Sequence, residues 1–326
     1  WNDGMNLVGA GGKGESVWLA WFLADVLKGM AEMAALLGDE AARREYERER
    51  ADLAARTEKF AWDGDWYLRA TFDDGSPLGS KICDEAKIDS LPQSWARLSG
   101  AGAPERTARA LEAAWEHLVR EDEGLVLLFE PPFEKSEPSP GYIKGYPPGV
   151  RENGGQYTHA AIWLAMALAR GGDGTRAAKI LRMINPCERA RDPETVWRYG
   201  AEPYAVAADI YRLPGKVGHG GWSWYTGSAA WMYRAWVEEI LGLKVRGESL
   251  SLDPVIPGWW DGFELTYRHG EAVYEIRVEN PSHVERGVVS VELDGRVLEG
   301  GVIALHRDLV KHRVVVRLGA PSGAIS

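Results

Sequence analysis

The most regular stretch of this chain is ESVWLAWFLADVLKGMAEMAALL, residues 15–37. Its apolar residues recur at steps of three and four, which is the spacing of one face of an α-helix. These residues are Val17, Trp18, Trp21, Phe22, Val26, Leu27, Met30, Met33 and Leu36. Glu15 or Ser16 can cap the start of the helix, and Gly38 can end it. The stretch therefore predicts a long helix with a continuous apolar face.

Helical spacing continues from this stretch to about residue 242. We predict further helices over Asp39–Phe60, Asp89–Leu98, Pro104–Arg120, Gln156–Arg170, Asp173–Ile184, Pro203–Tyr211 and Thr226–Leu241. Long loops rich in Gly, Pro and Trp connect them, and such loops usually carry function. The pattern favours a ring of paired antiparallel helices, but the predicted helices are too few to close it. We therefore expect a mainly α domain over residues 1–243 that forms only part of such a ring.

From residue 244 onward the apolar spacing changes to two, which is typical of strands. Strands are predicted over Leu250–Asp253, Phe263–Arg268, Ala272–Glu279, Val288–Leu293 and Arg313–Leu318. Thr266, Tyr274, Arg277 and Glu292 alternate with apolar residues, as expected for a sheet with one face in water. The sequence therefore predicts a second domain over residues 244–326, a small antiparallel β-sheet unit.

Composition narrows the class of protein. The chain has 326 residues, 45% of them hydrophobic and 26% charged, so it is expected to be globular. A net charge of −10 argues against nucleic acid or an anionic membrane as a partner. Apolar stretches such as Ala160–Ala169 are too short to cross a bilayer. Cys83 and Cys187 suggest neither a disulfide framework nor a metal site, and a reduced, cytoplasmic setting is the default.

Tryptophan is unusually frequent, with 15 Trp and 12 Tyr against 6 Phe. Aromatic rings with a polar edge suit carbohydrate sites, because the flat C–H face of a pyranose stacks on the ring while nearby polar atoms bind the hydroxyls. Most of these rings are expected simply to pack helices. A minority are expected to line a binding cleft.

Polar and aromatic residues are concentrated in four loop clusters. They are Trp1-Asn2-Asp3-Gly4, then Lys81-Ile82-Cys83-Asp84 with Gln93-Ser94-Trp95, then residues 145–159, and finally residues 219–228. The third supplies Arg151 and His159, and the fourth runs into a helix predicted to begin at Thr226. A cation, an imidazole, a hydroxyl and a helix N-terminus together favour a phosphate pocket. The alternative is that Thr226 is only a helix cap and His159 only a core residue.

Asp3 is the leading candidate for a catalytic acid. Glycoside hydrolysis usually needs two carboxylates. Phosphorolysis needs one, because phosphate arrives already anionic, so a lone Asp loop with an anion pocket favours phosphorolysis. Asp84 and Glu152 are the reserve carboxylates for a hydrolase. Zinc-type spacings and Gly-rich nucleotide loops are lacking from the sequence, so neither a metal nor a nucleotide is predicted.

Three of the clusters resemble glycoside hydrolase family 94, the inverting cellobiose, chitobiose and cellodextrin phosphorylases. The resemblance rests on Trp1-Asn2-Asp3-Gly4-Met5-Asn6, on residues 151–159 and on Trp224-Tyr225-Thr226-Gly227-Ser228, in that order. Residues 202–209 and 258–270 are most similar to the C-terminal phosphorylase-like domain of cyclic β-1,2-glucan synthases. The resemblance covers nearly the whole chain.

The resemblance implies roles for individual residues. Asp3 falls at the position of the family's general acid, and Trp1 at a contact to the donor sugar. His159, Thr226 and Gly227 fall at phosphate-binding positions.

Further substrate contacts are expected beside these residues. Arg151 stands where cellobiose phosphorylase has a Lys, and this change of cation suggests a different acceptor sugar or linkage. Tyr146 is expected on the acceptor side. Gln93 and Glu152 are also candidate substrate-binding residues.

The implied fold is an N-terminal β-sandwich, a linker, an (α/α)6 barrel and a small C-terminal β unit. The chain begins without Met at the Trp-Asn-Asp motif, so we expect it to hold the latter part of the barrel and the C-terminal unit. The family takes a phosphate-binding Arg and a donor-sugar carboxylate from upstream of this motif. A missing N-terminal half or a homodimer partner is therefore expected to complete the site.

The implied activity is inverting phosphorolysis of a β-glucoside, most simply a β-1,2-glucan, to α-glucose 1-phosphate. The glucan or oligosaccharide and inorganic phosphate are the substrates, and no cofactor is expected. One alternative is an inverting hydrolase with Asp84 or Glu152 as its base. Another is a non-catalytic glucan-binding remnant.

Overall fold

The computed structural model describes residues 3–320. The helices of this part of the chain are α1 (Val17–Leu36), α2 (Glu40–Phe60), α3 (Ser90–Leu98), α4 (Pro104–Leu118), α5 (Thr158–Arg170), α6 (Gly174–Met183), α7 (Pro193–Tyr199) and α8 (Ser228–Arg234). A π-helical segment, Ala235–Ile240, follows α8. The helices predicted between residues 15 and 184 are thus confirmed within a few residues at their ends.

The chain forms two compact units. The first comprises the residues up to Ala167 together with Arg182–Trp231. The second comprises Leu168–Leu181 together with the chain from Met232 onward. This division falls inside α5, α6 and α8, and differs from the predicted boundary between residues 243 and 244.

Helix α1 is apolar on more than one face. Its buried residues are Val17, Trp18, Trp21 and Leu27 of the predicted face, together with Ala24, Ala31 and Ala34. Other apolar residues of the same helix, including Phe22, Val26, Met30 and Met33, are exposed in this structure. Helix α2 lies against α1 and is rich in charged residues. Asp39 caps its start, and the Asp39 carboxylate accepts a hydrogen bond from the Ala42 amide at 3.0 Å.

The prediction of a helix over Pro203–Tyr211 is wrong. The buried Tyr199 hydroxyl donates to the Ala205 carbonyl at 2.6 Å and accepts from the Ala207 amide at 3.2 Å. These main-chain groups are therefore satisfied outside a helix. The segment instead leads into a short strand that begins at Asp209.

Helix α7 was not predicted, although its ends carry clear signals. Asp192 and Thr195 form a capping box, and Pro193 occupies the first turn. Gly200 ends the helix in the left-handed conformation, at φ +64°. The helix lacks a long apolar face, which is why the apolar periodicity does not reveal it.

Short two-residue strands brace the loops of the first unit. They are β1 (Glu15–Ser16), β2 (Ala70–Thr71), β3 (Pro77–Leu78), β4 (Ile88–Asp89), β5 (Val119–Arg120), β6 (Leu125–Val126), β7 (Phe129–Glu130), β8 (Gln156–Tyr157) and β9 (Asp209–Ile210). Strand β8 pairs antiparallel with β9, with Tyr157 opposite Asp209. Because Gln156 and Tyr157 are extended, α5 begins two residues later than predicted. This pairing joins the third loop cluster to the segment that precedes the fourth.

The second unit contains two sheets. Their strands are β10 (Leu243–Arg246), β11 (Ser249–Leu252), β12 (Gly262–His269), β13 (Ala272–Glu279), β14 (Val288–Leu293), β15 (Arg296–Val297), β16 (Ile303–Ala304) and β17 (Lys311–Leu318). One sheet has the order β10-β11-β16, and the other has the order β12-β13-β17-β14-β15. The strands predicted for this unit are confirmed.

The sequence predicted an antiparallel sheet for the second unit, and this prediction is wrong for one pair of strands. Strands β13 and β17 pair in parallel, and β17 pairs antiparallel with β14 on its other side. The two parallel neighbours are separated along the chain by β14–β16. That intervening chain provides the long connection that parallel strands need.

Tyr274 does not lie on a wet face of the sheet. It is fully buried, and its hydroxyl accepts a hydrogen bond from the His306 amide at 2.8 Å. Its ring stacks on His312 with 4.9 Å between the ring centres. The strand alternation was read correctly, but this phenol belongs to the buried side.

Within residues 3–320 the structure contains no helix that is both long and apolar enough to cross a membrane.

Candidate active site

The loop that carries Asp3 lies against a second short turn. Residues Asp3–Met5 and Tyr142–Gly145 each form a 3-10 turn, and the two turns are in contact. The Tyr142 hydroxyl donates to Oδ2 of Asp3 at 3.2 Å. The Tyr142 amide donates to Oδ1 of Asn6 at 3.1 Å. Asp3 itself is exposed, and Trp1 lies outside the described residues.

Opposing effects act on the Asp3 carboxyl group. Burial raises its pKa, but hydrogen bonds from its own amide and from the Tyr142 hydroxyl lower it, and the net pKa lies below the ordinary value. A carboxyl group that donates a proton near neutral pH needs a raised pKa. A sugar bound over Asp3 would exclude water and so raise the pKa of the Asp3 carboxyl group.

The Arg151 guanidinium lies between two aromatic rings. It is 4.9 Å from the centre of the Tyr146 ring and 5.6 Å from the centre of a Trp222 ring. Its Nε is 3.5 Å from Oε2 of Glu152. Arg151 has a left-handed backbone, with φ +53°. The loop therefore holds a planar cation in a fixed orientation beside polar and aromatic groups.

Buried Asn153 holds this loop together. Its Oδ1 accepts from the Phe133 amide at 2.7 Å, and its Nδ2 donates to the carbonyls of Phe133 and Tyr146 at 2.9 and 2.8 Å. The Gly149 amide in turn donates to the Asn153 carbonyl at 2.8 Å. These bonds fix the positions of Tyr146 and Arg151 relative to the rest of the first unit.

The three predicted phosphate-binding residues lie side by side. A Cβ on Gly227 would lie 3.8 Å from Cε1 of His159, so the imidazole faces this glycine closely. The Thr226 hydroxyl accepts from the Ser228 amide at 3.0 Å and lies 2.6 Å from the Ser228 hydroxyl. The structure thus joins an imidazole, a hydroxyl and an open glycine backbone at the start of α8.

His159 lies beside two indoles. Its ring centre is 4.5 Å from that of Trp163 and 5.8 Å from that of Trp231. Burial lowers the pKa of His159 to about 4. The imidazole is therefore neutral near pH 7 and can offer an N–H to an anion. A bound anion would favour the protonated form and raise this pKa.

Asp209 is a buried carboxylate at this site that the sequence did not single out. Its Oδ1 accepts from the Trp222 amide at 3.3 Å. Burial raises its pKa, while the bond from Trp222 and the positive charge of Arg151 lower it, leaving the pKa above the ordinary value. Perturbed buried carboxyl groups are common at functional sites. Asp209 was not predicted as a site residue because it lies inside the segment that was predicted as a helix.

Gln93 is not available to a substrate. Its side chain is fully buried. Its Oε1 accepts from the Tyr67 amide at 2.8 Å, and its Nε2 donates to the carbonyls of Tyr67 and Asp89 at 2.8 and 2.9 Å. The expectation of a substrate contact at Gln93 is therefore wrong, and this amide instead ties α3 to a neighbouring loop.

The two reserve carboxylates have different surroundings. Asp84 is exposed and lines a cleft of about 470 Å³ with Cys83 and Lys135. Glu152 interacts with the Tyr157 hydroxyl, whose pKa is raised by burial first and by Glu152 second. Glu152 thus interacts with both Arg151 and Tyr157.

Contacts connect the Asp3 loop to the fourth cluster. The Tyr142 ring, whose hydroxyl bonds to Asp3, lies 6.2 Å from the Tyr146 ring. Tyr146 contacts Arg151, and Arg151 contacts Trp222. The series presents a carboxyl group, a cation and several aromatic faces along one path. Such a path suits an oligosaccharide.

Comparison with known proteins agrees with this interpretation. A family model described as the catalytic domain of the glycosyl hydrolase 94 superfamily matches residues 1–242. Cyclic beta-(1,2)-glucan synthase NdvB of Rhizobium meliloti (strain 1021) is 47% identical over 89% of this chain and 10% of its own length. Solabiose phosphorylase of Paenibacillus borealis is 32% identical over 97% of this chain and 41% of its own length.

A third relative is similar over nearly the same part of the chain. N,N'-diacetylchitobiose phosphorylase of Vibrio proteolyticus is 32% identical over 93% of this chain and 37% of its own length. The chain therefore spans well under half the length of these curated relatives.

Proposed function

Because the chain belongs to the glycosyl hydrolase 94 superfamily, we propose that it is the phosphorylase part of an enzyme that cleaves β-glucosides with inorganic phosphate. The observation that carries the proposal is the close approach of the His159 imidazole to Gly227, next to the Thr226 hydroxyl, since these groups together could bind phosphate. The relatives named phosphorylases support the same reaction class. We further propose that the helices of residues 1–243 belong to an (α/α)6 barrel.

In the proposed reaction, Asp3 donates a proton to the glycosidic oxygen. The bond between that oxygen and the anomeric carbon breaks, and the protonated oxygen leaves with the acceptor sugar. A phosphate oxygen attacks the anomeric carbon from the opposite face and forms the new bond. His159, Thr226 and Gly227 hold the phosphate, so the product is α-glucose 1-phosphate.

The proposed substrate is a β-1,2-linked glucan, and Trp1, Tyr146, Arg151 and Glu152 are proposed to contact it. The linkage is supported by the 47% identity to a cyclic beta-(1,2)-glucan synthase. The guanidinium between Tyr146 and Trp222 suits a sugar that stacks and accepts hydrogen bonds at once. A cytoplasmic setting, which would supply phosphate, is part of the proposal, and both cysteines are free thiols.

The first test measures phosphate release from α-glucose 1-phosphate with sophorose or cellobiose as acceptor. We expect release with sophorose, and a loss of about 10²–10⁴-fold in Asp3→Asn, because a general acid contributes on that order. Asp84→Asn is the matched control and should retain activity.

Two outcomes would contradict the proposal. Release of glucose from sophorose without phosphate, lost in Glu152→Gln or Asp84→Asn, would identify an inverting hydrolase. Glucan binding that survives Asp3→Asn without turnover would identify a non-catalytic glucan-binding protein.

A further inference from the structure

Four aromatic side chains form an exposed surface on the first unit, which we name the aromatic platform. It consists of Tyr204, Trp222, Trp224 and Tyr225, with 67, 56, 73 and 78% of each residue exposed. Ring centres of Tyr204 and Trp224 are 6.2 Å apart, and those of Trp222 and Tyr225 are 5.9 Å apart. Large rings gathered this way on a surface mark a binding site more often than single exposed residues do.

The platform is held in place rather than loosely displayed. Trp224 has φ +60°, an unfavourable conformation for a bulky residue. Glu202 accepts hydrogen bonds from Nε1 of Trp224 and from the Ser223 hydroxyl, each at 2.8 Å. These two bonds hold the indole outward despite the backbone cost. A surface kept in this form indicates a ligand for the exposed rings.

The platform continues from the candidate active site. Trp222 is the platform ring that contacts the Arg151 guanidinium. Tyr225 directly precedes Thr226, one of the proposed phosphate-binding residues. A chain-like ligand that passes Arg151 therefore meets the platform next.

We propose that the aromatic platform binds further sugar units of a glucan chain, beyond the two units at the bond that is cleaved. This inference rests on the proposed function for the identity of the sugar. Indole and phenol rings match the C–H face of successive pyranoses, and the adjacent Glu202 and Ser223 can meet their hydroxyls.

The test compares two probes by isothermal titration calorimetry. One is a linear β-1,2-glucan of about ten glucose units, and the other is sophorose. In Tyr204→Ala/Trp224→Ala we expect the affinity for the long glucan to fall by about tenfold or more, since loss of each stacked ring removes a favourable aromatic contact. Affinity for sophorose should not change. Trp259→Ala is the matched control, because Trp259 is 61% exposed but belongs to the other unit.

A second variant guards against misfolding. Tyr225→Ala leaves the Glu202 bonds intact and should lower the affinity for the long glucan without changing the thermal midpoint. Equal affinity of the wild type for the two probes, or unchanged long-glucan binding in both variants, would overturn the proposal. Self-association that is lost in the variants while glucan binding persists would overturn it too. Long-glucan binding that depends on the platform without phosphorolysis would support it while the proposed function fails.

Discussion

His159 lies beside two indole rings and His312 lies between two carboxylates, so their pKa values move in opposite directions. Burial removes water from His159, and its pKa falls to about 4. His312 Nδ1 is 2.8 Å from Asp294 and its Nε2 is 3.3 Å from Asp308. The hydrogen bond to Asp294 is the main cause of the raised pKa of His312. The contributions of the two histidines to stability therefore depend on pH in opposite directions.

For His159, stability is expected to fall as the pH is lowered. Between about pH 6.5 and pH 4 the unfolded chain binds a proton that the folded chain excludes, so acid favours unfolding in this window. His159→Gln removes this titration and should lose less stability than the wild type from pH 7 to pH 4, as measured by urea midpoints. His117→Gln, at an exposed histidine, is the control. Parallel pH profiles for wild type and His159→Gln would refute the prediction.

For His312 the sign is reversed. Its contribution is complete below about pH 6.5, the ordinary pKa, and is lost as the pH rises through the higher folded pKa. His312→Gln should therefore destabilise the protein more at pH 5.5 than at pH 9, in thermal unfolding followed by circular dichroism. Exposed His306 provides the control variant. A deficit that is equal at both pH values would show that only packing against Tyr274 was lost.

At the scale of elements, one buried ion pair joins several segments of the first unit. Arg69 and Asp89 are both fully buried, with Nε 3.0 Å from Oδ2. Arg69 also donates to the Ser16 hydroxyl at 3.0 Å. Asp89 accepts from the Leu91 amide at 2.8 Å and so caps α3. The pair connects β1 and the residue before β2 with the start of α3.

Breaking this pair should be costly, because it leaves a buried charge without a partner. We expect Arg69→Met to lower the free energy of unfolding by about 3–5 kcal/mol, as measured by urea titration. Arg69→Met/Asp89→Asn retains the cap and removes the orphaned charge, so it should recover part of the loss. A double variant no more stable than Arg69→Met would contradict this explanation.

How far the sequence predicts an element depends on where its signal resides. Helix α1 and strand β13 were predicted because apolar spacing extends over their whole length. Helix α7 depends on its caps rather than on an apolar face. Residues 203–208 form a loop because the Tyr199 hydroxyl and the Trp222 carbonyl bond to main-chain groups of this segment. Contacts of this kind join distant parts of the chain and leave no local pattern.

For the whole molecule, the sequence located the loops of the candidate site but not their internal contacts. Motif order pointed to Asp3, Arg151, His159 and Thr226. It could not show that the Gln93 side-chain amide bonds to main-chain groups, because these bonds depend on a contact with Tyr67, which is distant in sequence. The role of Asp209 likewise depends on the packing of two loops around it.

The position of β17 also has a consequence for how the protein is made. This strand lies between β13 and β14 in the middle of the larger sheet, yet it follows both along the chain. A ribosome therefore releases β12–β15 before β17, the strand that joins them into one sheet. Until residues 311–318 emerge, β13 and β14 each present an open edge to neighbouring nascent chains. Translation that stops short of this strand would yield a product prone to aggregation rather than a slightly shorter domain.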